Sequence, residues 1–385
     1  MLTIGILLPR STLFPSLGLD ILNGLRCYLE QEQAWQEITP VMDNIGFGVE
    51  EGEIYTRAEK MLLQDNADIV IVCADTRIAE LLHPLFTSVN KILLVVNFGT
   101  NVPENRLAAP TTLLHSLNFC MHAGLTGRQA AGGPGGKEAV YLLSYYDAGY
   151  QQCYWMMTAH QLAGGIPAFN HITALHLQEF SLEPLKGFLD QHPGVSTLLC
   201  LFAGDQAERF YREISPVQKK YGLHLFGAPM LFEPSLKKTL GKDFTVEGIT
   251  GNIPWHPSLD NKGNSAFMSG MAGKPGSNTN YFSVLGWEAG MIVKEILSLY
   301  HKMNGDAAVI TRSLTGLIFE SPRGRMRIDP HTYYTYAPSY RASCSGNMDT
   351  IITGEEDMET AWKEFVNQPP VQGDSSGWRN TYLCI

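Results

Sequence analysis

Residues 3–8 form a run of mostly apolar and β-branched side chains, the pattern of a strand covered on both faces in a parallel sheet. Pro9 ends the run. Ser16 then offers an N-cap oxygen, and Leu19, Leu22, Leu25 and Leu29 recur at three- and four-residue spacing, which predicts a helix with one apolar face. The same alternation continues with a strand over 38–42, a helix over 53–65, a strand over 68–73, a helix over 78–88 and a strand over 92–96. Strands separated by amphipathic segments imply right-handed βαβ units and a parallel sheet, hence an α/β protein. The Gly-rich segment 124–136 interrupts the pattern and predicts a boundary between two lobes.

Beyond that boundary the alternation restarts. Strands are expected over 138–143, 196–202 and 223–226, and helices over 149–162, 180–191 and from about 206 to 220, completing a second open sheet by about residue 245. Residues 246–253 read as a connecting strand and 283–299 as a long amphipathic helix. The sequence SPRGRMRID at 321–329 predicts a turn at Gly324 leading into a short strand. After Ser343 only one short helix, about 356–365, is legible, and the Pro/Gly/Ser-rich end carries no readable role.

In open α/β sheets, ligands bind beyond the carboxyl ends of the strands, beside helix N-termini. The loop 9–15 occupies such a place, which makes Ser11 and Thr12 the first candidates for ligand contact. Loop hydroxyls such as Thr12 and Thr76, and Asp75 ahead of a helix, serve equally well as helix caps. Tyr145, Tyr146 and Tyr150 flank another strand end, where aromatic walls with polar tips suit a small ligand or pack between helix and sheet.

A chain of 385 residues with 44% hydrophobic content has room for a large core and is expected to divide into two domains. Its net charge of −10 and its lack of a Lys/Arg cluster disfavour nucleic acid as a partner. No apolar run reaches the length of a membrane span, so no membrane insertion is expected. The seven cysteines are scattered with no C-x-x-C pair, which supports neither a zinc site nor a redox motif. Met1 runs straight into the first strand. The protein is therefore expected to be periplasmic if a leader has been removed and cytoplasmic if Met1 is the native start.

Catalytic patterns fail one by one. The run Gly132-Gly133-Pro134-Gly135-Gly136-Lys137 precedes a strand instead of following one, so it is a loop and not a phosphate cradle. Ser235 and Lys238 have S-x-x-K spacing without the S-D-N or K-T-G partners and read as a helix start. His171 and His176 would face opposite sides of a strand, with no carboxylate at ligand spacing. No enzyme activity, cofactor or metal is expected.

The ordered set IGILLPRSTLFPSLGLDILNGLRCYLE, RAEKMLLQDNADIVIVCADTRIAELLHPLF, VVNFGTNVPE, VEGITGNIPWHPSLDN with FSVLGWEAGMIVKEIL, and FESPRGRMRIDP resembles the type I periplasmic binding proteins of the leucine/isoleucine/valine-binding class. These are the solute receptors of ABC importers. The resemblance implies two Rossmann-like lobes with parallel sheets, joined by three hinge crossovers and closing over a ligand. On this sequence, lobe one would be 1–118 plus 250–332 and lobe two 119–249 plus 333–385. It places the ligand-binding positions on Ser11, Thr12, Asp75, Thr76, Asn97, Thr100, Tyr145, Tyr150, Asp205 and Met230. The sequence CADTR departs from the Ser-rich loop that holds an amino acid's carboxylate in this class, and Pro229 and Met230 stand where an acidic partner for an α-ammonium would fall. Asp75 or Asp205 could supply the missing negative charge. The expected function is a non-enzymatic receptor for an amino-acid-like solute or small carboxylate, with an ABC permease as partner. The alternative is a cytoplasmic sensor on the same fold that reports to a regulatory protein, favoured by the absent leader and the unpaired cysteines.

Overall fold

The computed structural model describes residues 1–102, 109–274, 276–368 and 382. The chain divides into two compact units. The first comprises Met1–Leu117 and Leu259–Pro338, together with Tyr382; the second comprises Asn118–Ser258 and the chain from Ser339 to the end of its last helix.

The first unit opens with β1 (Leu2–Leu8), α1 (Leu17–Gln31), β2 (Ile38–Asn44), α2 (Glu51–Leu63), β3 (Ile69–Cys73), α3 (Thr76–Ser88), β4 (Ile92–Asn97) and β5 (Thr112–Ser116). Its strands form an all-parallel sheet in the order β2-β1-β3-β4-β5. Every residue of β3 and β4 is buried, as expected of strands covered on both faces. Leu7, Met61, Val70, Val72, Ile78, Leu82 and Phe86 fill the space between the sheet and α2 and α3.

The second unit contains α4 (Phe119–Ala131), β6 (Glu138–Leu143), α5 (Tyr145–Ala148), α6 (Gln151–Leu162), β7 (Ile166–Ile172), α7 (Glu183–Gln191), β8 (Thr197–Leu201), α8 (Gly204–Tyr221), β9 (His224–Gly227), α9 (Ser235–Leu240) and β10 (Val246–Ile253). The chain then contributes α10 (Lys262–Met271), α11 (Tyr281–Tyr300), α12 (Ala307–Leu314), β11 (Phe319–Ser321), β12 (Gly324–Ile328) and β13 (Thr335–Tyr336) to the first unit. It returns to the second with β14 (Ser339–Gly346), β15 (Asp349–Glu356) and α13 (Met358–Asn367). The second sheet has the order β15-β14-β10-β9-β8-β6-β7, and its β14 pairs antiparallel with both β10 and β15.

Several expectations are corrected. The boundary expected from composition within 124–136 falls instead at Asn118, one residue from the 118/119 division that the family resemblance implied, because α4 carries the small residues of 124–131 through a helix; Asn118 turns the chain there with φ 55°. The passage expected near 250 falls after Ser258, since β10 is hydrogen-bonded between β9 and β14 inside the second sheet. That near 333 falls after Pro338, since Thr335–Tyr336 pairs with β12. The stretch after Ser343 carries the rest of β14 and all of β15; β14 mixes buried and exposed positions, and β15, at the sheet edge, has no buried residue, so neither showed an apolar run. Tyr382 belongs to the first unit and not to lobe two.

The buried stripe of α1 is Leu17, Asp20, Ile21, Gly24, Leu25 and Leu29, while Leu19 is exposed. Its partner decides this. α1 lies against α11 so closely that a Cβ on Gly24 would stand 2.1 Å from the Ser283 carbonyl oxygen, and one on Gly286 would stand 1.9 Å from that of Ile21. Ser16 makes no N-cap bond; its hydroxyl donates to the Asp20 carboxylate at 2.8 Å. Asp20, fully buried, also accepts from Asn278 Nδ2 at 3.0 Å and Asn280 Nδ2 at 2.8 Å, which fixes the entry to α11. Asn280 and Ser283 form a reciprocal capping box there.

A buried ion pair ties the returning segment to the parallel sheet. Arg323 Nε and Nη2 donate to the Glu288 carboxylate at 2.8–3.0 Å, and Nη2 also donates to the Ser116 carbonyl at 3.1 Å. Both side chains are fully buried. His115 on β5 stands 3.5 Å from the same carboxylate. Burial, more than the neighbouring charges, pushes its pKa down to about 4, so at neutral pH Arg323 alone balances Glu288. Ser116 N–H donates to Thr335 Oγ1 at 3.0 Å, so the Thr335 hydroxyl donates to His115 Nδ1 at 3.0 Å, while His115 Nε2 donates to the Leu285 carbonyl at 3.1 Å.

Two outcomes are expected. Arg323→Met or Glu288→Leu alone should destabilise the protein by about 3–5 kcal/mol in urea denaturation by leaving one buried charge unpaired, and the double substitution should recover much of the loss. Since the folded-state pKa of His115 lies below its ordinary value of 6.5, the unfolded chain takes up the proton first as pH falls. Stability should therefore drop between pH 6.5 and about 4 by an amount of order 3 kcal/mol, and His115→Asn should flatten that slope.

Candidate functional site

Within the first unit, β1, β3 and β4 are neighbours, so the loops at their carboxyl ends lie side by side. Asp75 organises the second of them. It caps α3 by accepting from Arg77 N–H at 3.4 Å, and it accepts from Thr76 Oγ1 at 3.1 Å and Asn101 Nδ2 at 2.8 Å. Burial raises its pKa, opposed by those hydrogen bonds. Asp75 is therefore engaged on both oxygens and acts first as a brace between the β3 and β4 loops.

In the β4 loop, Asn97 Oδ1 accepts from Gly99 N–H at 2.9 Å, and the turn needs the left-handed φ of 70° that Gly99 supplies. Asn97 Nδ2 is buried with no hydrogen-bond partner among the described residues. It borders a recess of about 10 Å³, room for roughly one water, that is also lined by Asp75, Thr100 and Asn101. Thr76 and Thr100 are buried, Ser11 is largely buried, and Thr12 is exposed. Cys73 beneath the recess is inert as a nucleophile, its thiol pushed up to about 12 by burial.

The β1 loop carries an aromatic cluster that the sequence reading passed over. Phe14 meets Phe282 edge-on at 5.0 Å between ring centroids, and Phe98 meets Phe282 at 5.4 Å. Tyr382 lies 5.7 Å from both Phe14 and Phe98 and is 1% exposed. The Ser11 hydroxyl accepts from Phe14 N–H at 2.9 Å and donates to the Tyr382 carbonyl oxygen. Phe14 and Phe98 lie inside loops already singled out, so loop aromaticity was the available signal. Nothing local pointed to Tyr382.

In the second unit, β6, β8 and β9 are likewise neighbours. Ser144 N–H donates to the Leu201 carbonyl and Ala228 N–H to that of Cys200, both at 2.9 Å, which brings the three following loops together. Tyr145 is exposed on α5, whereas Tyr150, the N-cap residue of α6, is buried. Asp205 is exposed in the first turn of α8. Met230 is buried in a short 3₁₀ turn whose Leu231 carbonyl accepts the Tyr211 hydroxyl at 2.6 Å. Each unit thus gathers its own share of the expected residues at one end of its sheet. Among the described residues no three His, Cys, Asp or Glu side chains cluster as metal ligands, and no helix is long and apolar enough to cross a membrane.

The sequence profile of the periplasmic binding protein family matches residues 1–342. The chain belongs to this family. Its members are solute-binding receptors, not enzymes, and are normally periplasmic. No curated protein matches by sequence. Among solved structures, an ABC transporter substrate-binding protein from Sphaerobacter thermophilus superposes with a TM-score of 0.79 at 15% identity, over 93% of this chain and 98% of that one. An ABC transporter solute-binding protein from Rhodopseudomonas palustris BisB5, solved with 3,4-dihydroxybenzoic acid, gives 0.74 at 17% identity over 93% and 97%. A branched-chain amino acid ABC transporter ligand-binding protein from Burkholderia xenovorans gives 0.73 at 13% identity over 96% and 99%. The fold of this periplasmic binding protein is therefore the type I fold of two α/β lobes.

The cap that Asp75 places on α3 has a measurable consequence. Asp75→Ala should lower stability by about 1 kcal/mol through loss of the α3 cap, while Asp75→Ser should retain most of it; thermal unfolding of the two variants distinguishes them.

Proposed function

We propose that this protein is the solute-binding component of an ABC importer, taking an amino-acid-like solute or small carboxylate between its two lobes and presenting the closed form to a permease. The family membership and the gathering of polar loop residues at the strand ends of each unit support this reading. On the first unit Ser11, Thr12, Thr76, Asn97 and Thr100 supply hydroxyls and an amide donor near helix N-termini, an environment that favours an anionic group. Asn97 Nδ2 is the observation that carries the assignment, since a buried amide donor with no partner among the described residues gains most from an incoming oxygen. On the second unit the exposed Tyr145 and Asp205 provide an aromatic face and a negative charge, over a floor that includes Tyr150 and Met230. Solved relatives of this fold hold benzoate, 4-hydroxybenzoate and 3,4-dihydroxybenzoate, and another serves branched-chain amino acids, which brackets the carboxylates to be screened. Hinge closure lets a partner distinguish loaded from empty protein.

A thermal-shift screen of amino acids and small carboxylates tests the reading. A true solute at about a hundred times its Kd should stabilise the protein by about 2.7 kcal/mol. Thr76→Ala and Asp205→Ala should each weaken that solute by about tenfold in calorimetry, the loss of one good polar contact, and Asp205→Ala should leave the empty protein as stable as before. Unchanged affinity in both variants overturns the loop assignment. Co-purification with a permease, as against a soluble regulatory protein, separates the importer from the cytoplasmic sensor.

A further inference from the structure

We propose that the aromatic cage of Phe14, Phe98 and Phe282 beside Ser11 is a ring-binding subsite for an aryl carboxylate, and that the chain's own Tyr382 holds it as a tethered competitor. The proposal rests on the receptor reading and adds a solute class and a means of regulation. Three features of the cage support it. First, Phe282 meets both Phe14 and Phe98, at 5.0 and 5.4 Å, and these two contacts, which link the loop rings, do not involve Tyr382, which lies 5.7 Å from each of them. Second, Ser11 Oγ takes the Phe14 N–H at 2.9 Å, which turns its proton outward; that proton goes to the Tyr382 carbonyl oxygen. Tyr382 thus offers a ring to the cage and an oxygen acceptor to the hydroxyl together, the two groups that an aryl carboxylate would present. Third, two of the three rings, Phe14 and Phe98, lie on the β1 and β4 loops, at the strand ends where ligands of open α/β sheets are held, and Phe282 reaches them from the first turn of α11.

Tyr382 lies outside the match to the family profile, which ends at residue 342, so the competitor is carried by a part of the chain that the profile does not describe. A solute must outcompete it, and its apparent affinity falls in proportion to the fraction of protein whose cage is open.

The test uses the full-length chain with Tyr382→Ala and Tyr382→Phe, and benzoate, 4-hydroxybenzoate and 3-phenylpropionate as probes. Hydrogen exchange of peptides spanning 11–14 and 97–100 should rise in Tyr382→Ala and stay at the wild-type level in Tyr382→Phe, which keeps ring and carbonyl. If the cage is shut in about nine-tenths of the wild-type population, Tyr382→Ala should bind at least one probe about tenfold more tightly in calorimetry, and adding Ser11→Ala should reverse much of that gain. Unchanged exchange in Tyr382→Ala overturns the placement of Tyr382. Raised exchange with no gain for any probe overturns the subsite and makes Tyr382 a brace of the fold. Binding of amino acids but of no aryl carboxylate also overturns this proposal and leaves the receptor reading standing; a chain that binds no compound in the wider screen, with or without Tyr382, defeats both.

Discussion

The Arg323–Glu288 pair is the constraint on which the first unit depends. Its sheet is built from the first part of the chain, yet one face is covered by α11 and one edge by the β11–β13 ribbon, both contributed after the chain has built most of the second unit. A discontinuous unit needs a contact that rejects other arrangements of the returning segment. A fully buried charge supplies it, because any docking that leaves Arg323 or Glu288 unpaired in the interior is heavily penalised. The guanidinium also binds the Ser116 carbonyl, and the neutral His115 joins β5 to Thr335 and to α11, so that strand end, helix and ribbon are fixed in one network. This network stands one residue before the chain leaves the unit at Leu117.

The fit of α1 against α11 follows from the same requirement. Backbone contact at Gly24 and Gly286 leaves no room for a side chain, so the two helices meet at one register, and Asp20 locks the entry to α11 through Asn278 and Asn280. Phe282, two residues into the environment so fixed, is delivered to the β1 and β4 loops, where it anchors Phe14 and Phe98. The aromatic cage is thus the outer end of a chain of packing that begins at the buried ion pair. Asp75 does for the polar side of the face what Phe282 does for the apolar side, since it couples two loops that are separate in sequence.

The buried strands and most of the helices were legible from periodicity, because a parallel sheet covered on both faces leaves uninterrupted apolar runs at β1, β3, β4 and β8. Where a strand is only partly buried, as in β14 and β15, the pattern carried too little contrast to be read. The α1 stripe was misplaced onto Leu19 because the leucines alone were counted; the face is set by a glycine and a buried aspartate that periodicity scores as poor core residues. In the candidate site, Ser11 and Thr12 were reached from strand-end logic and Thr76, Asn97 and Thr100 through the family resemblance, whereas the role of Asp75 as a brace needed Asn101 across the loop.

By itself the sequence determined the α/β class, the two-lobed family and the loops that end the strands, because these follow from local apolar runs, turn residues and an ordered set of motifs. Tertiary structure alone decided which segments return to which unit, which buried charges pair, and that a tyrosine near the end of the chain sits among aromatic rings of the β1 and β4 loops. The physical reason is range: periodicity reports neighbours within one element, while Arg323 with Glu288 and Ser116, and Tyr382 with Ser11, are brought together only by the closing of the fold.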